Sequence, residues 1–318
     1  MAKKQNSSFR TSIGGQALIE GILMRGPEKQ AIVVRSPEGL VIREEELKLV
    51  RDKYPVLGLP LIRGSVTFLD SMFKGVKALM FSADYFPDEE NSEPSKFDLW
   101  LEKKLGNEKM EKLVIAVAVI LSVVFSVGLF MLLPSAVSSL VELVTDSVLV
   151  RNLVDAVLRI AIFMTYLALV SRMKDIRRVF SYHGAEHKSI HCYEKGLELT
   201  VENVRAQSKH HPRCGTSFLM VVIIVSILIN TVVFALFPAP NLLIRLLVQL
   251  ALLPVVVGVA YEFNRFVGAH DNAVTAFLAA PGMWMQKFTT YEPDDSMIEV
   301  AIEALSRVIP EEKGKDQW

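Results

Sequence analysis

Two imidazoles and a carboxylate at positions i, i+4 and i+3 of one helix share a face and converge on a point. The stretch His183-Gly184-Ala185-Glu186-His187 supplies that set as H-x-x-E-H, the inverted form of the zinc-hydrolase helix motif. Zinc takes neutral imidazole, thiolate or carboxylate, and a catalytic site keeps three protein ligands and one position for water. His183 and His187 are therefore expected as two ligands of Zn2+, with Glu186 as the general base that takes a proton from water. Five of the six histidines fall within residues 183–211, which makes this region the chemical centre of the chain.

The third ligand must come from outside the motif. Glu262 and His211 rank first, ahead of Cys214, whose thiolate suggests a structural or redox site; Glu194 is a further option. Arg213 stands beside His211 and is expected to stabilise an oxyanion or to hold a carboxylate or phosphate. The competing reading gives these histidines to lipid phosphates or to helix ends, with no metal. No G-x-S-x-G elbow, P-loop or paired C-x-x-C offers another chemistry.

The elements that must hold the motif are membrane helices. Residues 113–133 and 217–237 are charge-free runs of 21 residues, each long enough to cross about 30 Å of hydrocarbon. Residues 153–170 carry Asp155 and Arg159, spaced to pair within a bundle, and residues 242–261 carry Arg245 and Gln249 near their start. A transport path needs those polar residues to meet, and their places near span ends count against it. The loop 171–216 holds nine Lys or Arg, whereas the connection after the first span has only Arg151 and the segment 238–241 has none. By the positive-inside rule, both termini and the central loop face the cytoplasm of a multi-pass cell-membrane protein.

The remaining segments read as soluble protein. Residues 31–42 predict two strands around Pro37-Glu38-Gly39. Gly14, Gly15 and Gly26 are read as turns around an apolar stretch in which Glu20 and Arg25 form a local ion pair. Residues 66–83 predict an amphipathic helix, either interfacial or an ordinary core helix, and residues 87–96 an acidic, proline-bracketed linker. Residues 294–309 predict a capped helix with Ile298, Ala301, Ile302 and Leu305 along its apolar stripe. The 35 basic and 35 acidic residues cancel, so bulk charge gives no argument for nucleic acid. Two cysteines form no disulfide framework, and the first ten residues lack the apolar core of a signal peptide.

Several motifs resemble those of the YqhQ-like bacterial membrane proteins, a family of unknown function. They are Gly14-Gly15-Gln16-Ala17-Leu18-Ile19-Glu20-Gly21, Met24-Arg25-Gly26-Pro27, Tyr182-His183-Gly184-Ala185-Glu186-His187-Lys188, His211-Pro212-Arg213-Cys214-Gly215-Thr216-Ser217-Phe218, Tyr261-Glu262, and Gln286-Lys287-Phe288-Thr289-Thr290 with Glu292-Pro293. The resemblance implies a metal-dependent enzyme, a description that rests on the same histidines. It also marks Tyr261-Glu262 and His211 as family positions.

The resulting expectation is an α-helical membrane protein, a four-transmembrane-helix bundle with a composite α+β cytosolic cap. Its segments are 1–112, a membrane region 113–261 that includes the loop 171–216, and a tail 262–318. The expected function is a cytosol-facing, zinc-dependent hydrolase acting on a membrane-associated peptide or lipid-like substrate. The alternative is a non-catalytic scaffold or membrane-protein assembly factor with a structural metal or a polar network.

Overall fold

A computed structural model describes residues 9–48, 54–86, 107–270 and 272–318. The linker expected at 87–96 lies outside the described residues. Among the described residues, four helices are long and apolar enough to cross a membrane: Leu113–Ser139, Val148–Val170, Gly215–Leu236 and Leu242–Ala269. The first runs beyond the expected 113–133 because a π-turn, Gly128–Leu132, precedes Pro134. The Leu133 N–H reaches back to Gly128 O, and this wider turn relieves the clash that a proline ring makes with the preceding turn of a regular helix.

By contacts the chain gathers into two compact units. One comprises Pro87–Thr165 and Asn230–Ala251 and contains the expected pair, Arg159 Nε donating to Asp155 Oδ2 at 2.7 Å. The other comprises Met1–Phe86, Tyr166–Ile229 and Leu252–Trp318 and contains the H-x-x-E-H motif.

In this second unit, a four-stranded antiparallel meander runs β1 (Gly14–Leu18), β2 (Gly21–Arg25), β3 (Lys29–Ser36), β4 (Gly39–Glu46). Side chains alternate between the faces of a strand. Ile22, Met24, Ala31 and Val33 join one apolar core, and Leu18, Leu23, Ile32 and Val34 join another. The first core is shared with the motif helix, Lys174–Glu194, and the C-terminal helix, Asp295–Ser306. The second packs on Ala78 and Phe81 of the helix Ile62–Ala83. Covering on both faces explains why the apolar run of β2 is continuous, a pattern that hides the strand's period of two.

The first two strands were not expected, because Gly14 and Gly15 read as turn residues. A Cβ on Gly15 would stand 2.7 Å from Leu23 O and 3.0 Å from the Glu186 carboxyl carbon, so glycine serves close approach within the sheet. The turn lies at Glu20, which has φ +49°. Glu20 does not pair with Arg25: its carboxylate takes Arg178 Nη2 at 2.6 Å and Tyr182 Oη at 3.1 Å, both from the motif helix. Arg25 donates instead to Ser71 Oγ at 2.9 Å. Along Ile62–Ala83, the stripe Leu69, Met72, Phe73, Val76, Leu79 and Met80 is exposed.

The C-terminal helix begins as expected, with the Asp294 side chain accepting from Met297 N–H at 3.0 Å. An unexpected helix, Ala273–Thr289, precedes it, and its first turn is closed by a reciprocal capping box between Asn272 and Thr275. From its end the chain runs across the motif helix, with Tyr291 N–H on Phe180 O at 3.0 Å. At Gly184 this crossing is so close that a Cβ would lie 2.1 Å from Tyr291 O. Gly184→Ala is expected to destabilise the protein by about 1–3 kcal/mol, the range for forcing a methyl into a packed contact. A melting temperature equal to wild type would show that the Tyr291 segment yields freely.

Candidate metal centre

The motif helix is buried without interruption from Tyr182 to Ile190. An ordinary amphipathic helix buries one face and leaves the other to water. Here His183, Glu186, His187, Lys188 and Ser189 are all enclosed, so each must find a polar partner inside the protein. Lys188 Nζ donates to Arg205 O at 2.8 Å and pairs with Glu292 Oε1 at 2.5 Å. Ser189 Oγ bonds Glu186 O at 2.8 Å.

The two motif histidines are fixed in the same way. His183 Nδ1 lies 2.8 Å from Thr289 O, and His187 Nδ1 lies 2.7 Å from Lys209 O. A carbonyl only accepts, so each Nδ1 carries the hydrogen and each neutral ring keeps its lone pair on Nε2. His183 Nε2 meets Cys214 Sγ at 3.2 Å, while His187 Nε2 is buried with no hydrogen-bond partner among the described residues. The ligand atoms of His183, His187 and Cys214 lie within 4.8 Å of one another, and all three side chains are buried. Tetrahedral ligands at about 2.0–2.3 Å from zinc stand about 3.3–3.8 Å apart, close to the His183–Cys214 separation. The donors fit a metal ion of this kind: two oriented imidazole lone pairs, one of them orphaned, and a sulfur.

Cys214 precedes the helix Gly215–Leu236, and its sulfur accepts the Thr216 N–H at 3.3 Å, with Thr216 Oγ1 3.1 Å away. Burial pushes the Cys214 thiol up, but the charge of His183 and His187 outweighs it and holds the thiol well below its ordinary value. Burial lowers His183, yet the Cys214 thiolate and Glu186 overcome this and push it up to about 9. Burial raises the Glu186 carboxyl, which the two histidines oppose. Its Oε1 accepts the Gly15 N–H at 2.8 Å, and its Oε2 is buried with no partner.

The expected third ligands stand elsewhere. Glu262 is held by Arg63, Nε at 2.7 Å and Nη2 at 2.5 Å, and belongs to no donor group among the described residues. A partner 199 residues away in sequence is invisible to local reading. His211 belongs to a neighbouring group with His191 and Glu194, also within 4.8 Å. The rings run on in series, His183 to His187 at 4.3 Å, His187 to His211 at 5.6 Å and His211 to His191 at 4.6 Å. In that second group Arg213 already supplies the cation. Its guanidinium pairs with Glu194 Oε1 and lies 3.4 Å from His211 Nε2. Of the roles expected for Arg213, an oxyanion or a carboxylate or phosphate, the structure shows a carboxylate, that of Glu194, which also accepts the Thr11 N–H at 2.9 Å.

Gln286 carries a positioning role that local sequence did not reveal. Fully buried, it accepts the His211 N–H at 2.8 Å and returns Nε2–H to His211 O at 2.7 Å and to Ser217 Oγ at 2.8 Å. This amide clamp fixes the segment between His211 and Cys214.

The family model described as "Protein of unknown function (DUF1385)" matches residues 59–311. The chain is similar to the "Uncharacterized protein YqhQ" of Bacillus subtilis (strain 168), 33% identical over 304 residues that cover 93% of this chain and 92% of that protein. No solved structure matches the chain.

Burial lowers His211 to about 4 from an ordinary value of 6.5. Between these values the unfolded chain binds a proton that the folded chain refuses, so stability falls as pH drops from 6.5 toward 4. The loss is on the order of 3 kcal/mol at the acid end. Melting curves should show that slope in wild type and a flatter one in His211→Gln, since Gln286 holds the backbone of residue 211 and leaves its ring alone. Equal slopes would assign the acid sensitivity to other groups.

Proposed function

This chain belongs to the DUF1385 family, and from its buried His183–His187–Cys214 group we propose a membrane-bound, metal-dependent hydrolase whose site faces the cytoplasm. The observation that carries the reading is the pair of orphaned atoms, His187 Nε2 and Glu186 Oε2, buried at neighbouring residues of one helix. A lone pair and a carboxylate oxygen without partners cost free energy unless a ligand or a reaction uses them. Zinc suits two imidazoles and a thiolate, and three protein donors leave a fourth position open. When bound, such an ion acts as a Lewis acid that makes water acidic near neutral pH.

The chain's own residues do the rest. Thr289 O and Lys209 O hold the two imidazoles in the tautomer that presents Nε2. The Gly15 N–H fixes one oxygen of Glu186 and leaves Oε2 to take a proton from water and return it to a leaving group. Burial raises the proton affinity of that carboxyl, and the two histidines oppose the rise. The four apolar helices and the exposed stripe on Ile62–Ala83 support a bilayer as the partner and a membrane-associated peptide or lipid-like molecule as the substrate. A structural metal tying a scaffold together is the second reading. It is favoured by the burial of every donor, none more than 8% exposed.

Metal analysis of detergent-purified protein tests the site. About one zinc per chain is expected in wild type, Glu186→Gln and Glu262→Gln, and a loss of metal in His187→Ala and Cys214→Ser. A folded wild type that stays empty when zinc is offered would sink the proposal. Product analysis on membrane lipid and peptide extracts then separates the readings. Metal-loaded Glu186→Gln should be slower by about 10²–10⁴-fold as a general-base variant. Identical product profiles in wild type and Glu186→Gln would leave the scaffold.

A further inference from the structure

The unit formed by Pro87–Thr165 and Asn230–Ala251 encloses a second polar cluster, built by three spans. Ser135 and Ser138 come from the first span, Asn152, Asp155 and Arg159 from the second, and Arg245 and Gln249 from the fourth; all are buried. Asp155 is fully engaged. Its Oδ2 accepts from Arg159 Nε at 2.7 Å, and its Oδ1 from Ser135 Oγ at 3.1 Å and Ser138 Oγ at 3.3 Å. Arg159 Nη2 also donates to Ser135 Oγ at 3.2 Å. One carboxylate therefore neutralises one guanidinium.

Arg245 is the guanidinium left over. It is only 7% exposed, touches Asn152 Oδ1 at 3.5 Å through Nη2, and stacks on the Phe234 ring at 4.7 Å. Among the described residues its Nε has no partner, and neither does Oε1 of Gln249, one turn further along the same helix. A permanently charged side chain inside a span is costly without a counter-charge, and an arginine fork matches the oxygens of a phosphate. Arg245 is the fourth residue of Leu242–Ala269, so it lies about 5 Å from the helix end at about 1.5 Å per residue. That end belongs to the short connections 140–147 and 237–241, away from the covalent link between Val170 and the motif helix. In a helix that crosses a bilayer, the first turn stands at the level of the phospholipid headgroups.

We propose that Arg245, with the side-chain amides of Asn152 and Gln249, binds a phosphate oxyanion at headgroup depth. Gln249 Nε2 donates to Ser135 Oγ at 3.5 Å, and the opposite assignment of its amide would put N–H₂ where the unpartnered Oε1 stands. The Asp155 carboxylate is already held by Arg159 and the two serines, and one carboxylate beside two buried guanidinium groups leaves this cluster with surplus positive charge. The phosphate can belong to an anionic phospholipid or to free inorganic phosphate, and the test separates the two.

Full-length protein in detergent is titrated with phosphatidylglycerol, phosphatidylcholine or inorganic phosphate, reading thermal shift and bound lipid by native mass spectrometry. Phosphatidylglycerol is expected to stabilise wild type and to stay bound where phosphatidylcholine does not. Arg245→Gln should weaken that binding at least tenfold, and Arg245→Lys should keep part of it. A response to inorganic phosphate without phosphatidylglycerol would assign the same site to a soluble anion. Should Arg245→Gln fail to fold, Asn152→Ala takes its place and is expected to weaken phosphatidylglycerol binding. Equal binding of both lipids by wild type, or unweakened phosphatidylglycerol binding in a folded variant, would overturn the site.

Discussion

Burying a polar helix on every side is the constraint from which the arrangement around the motif follows. Between Tyr182 and Ile190 the helix has no solvent face, so five polar side chains need partners from other parts of the chain. Those partners come from distant sequence: Gly15 for Glu186, Thr289 for His183, Lys209 for His187, and Arg205 with Glu292 for Lys188. The sheet, the segment leading to the third span and the crossing at Tyr291 each satisfy a donor or acceptor that the helix cannot leave in water. Close approach is the geometric condition. It explains glycine at 15 and 184, where a side chain would meet backbone oxygen.

The same constraint sets the chemistry. Two carbonyls, one per ring, decide which imidazole nitrogen holds hydrogen, and that decision turns both lone pairs toward Cys214. Glu186 is held by one oxygen only, so the other stays available. In the adjoining group the cation is built in, as Arg213 on Glu194 beside His211. One region thus contains a cluster with its cation built in and, beside it, a group of buried His and Cys donors that could hold a metal ion.

Much of the helical framework is legible because its signals are local. Charge-free runs mark the first and third spans, and Asp294 with the stripe at Ile298, Ala301 and Leu305 marks the C-terminal helix. The strands β1 and β2 escape local reading, since covering on both faces erases their alternation and glycines placed for packing look like turns. The Glu20–Arg178 and Glu262–Arg63 pairs escape it for a different reason. Ion pairing depends on spatial distance, and these partners are 158 and 199 residues apart.

By itself, the sequence determined four apolar helices, a motif helix with two histidines and a glutamate on one face, and a cluster of histidines around it. These follow from helical periodicity and hydrophobic length, which act between neighbours along the chain. Only the tertiary structure decided that Cys214 joins His183 and His187, that Glu262 is engaged by Arg63, and that Arg213 is held by Glu194. Those outcomes depend on which charged and ligand atoms meet in space, and folding alone brings such distant groups within a few ångströms.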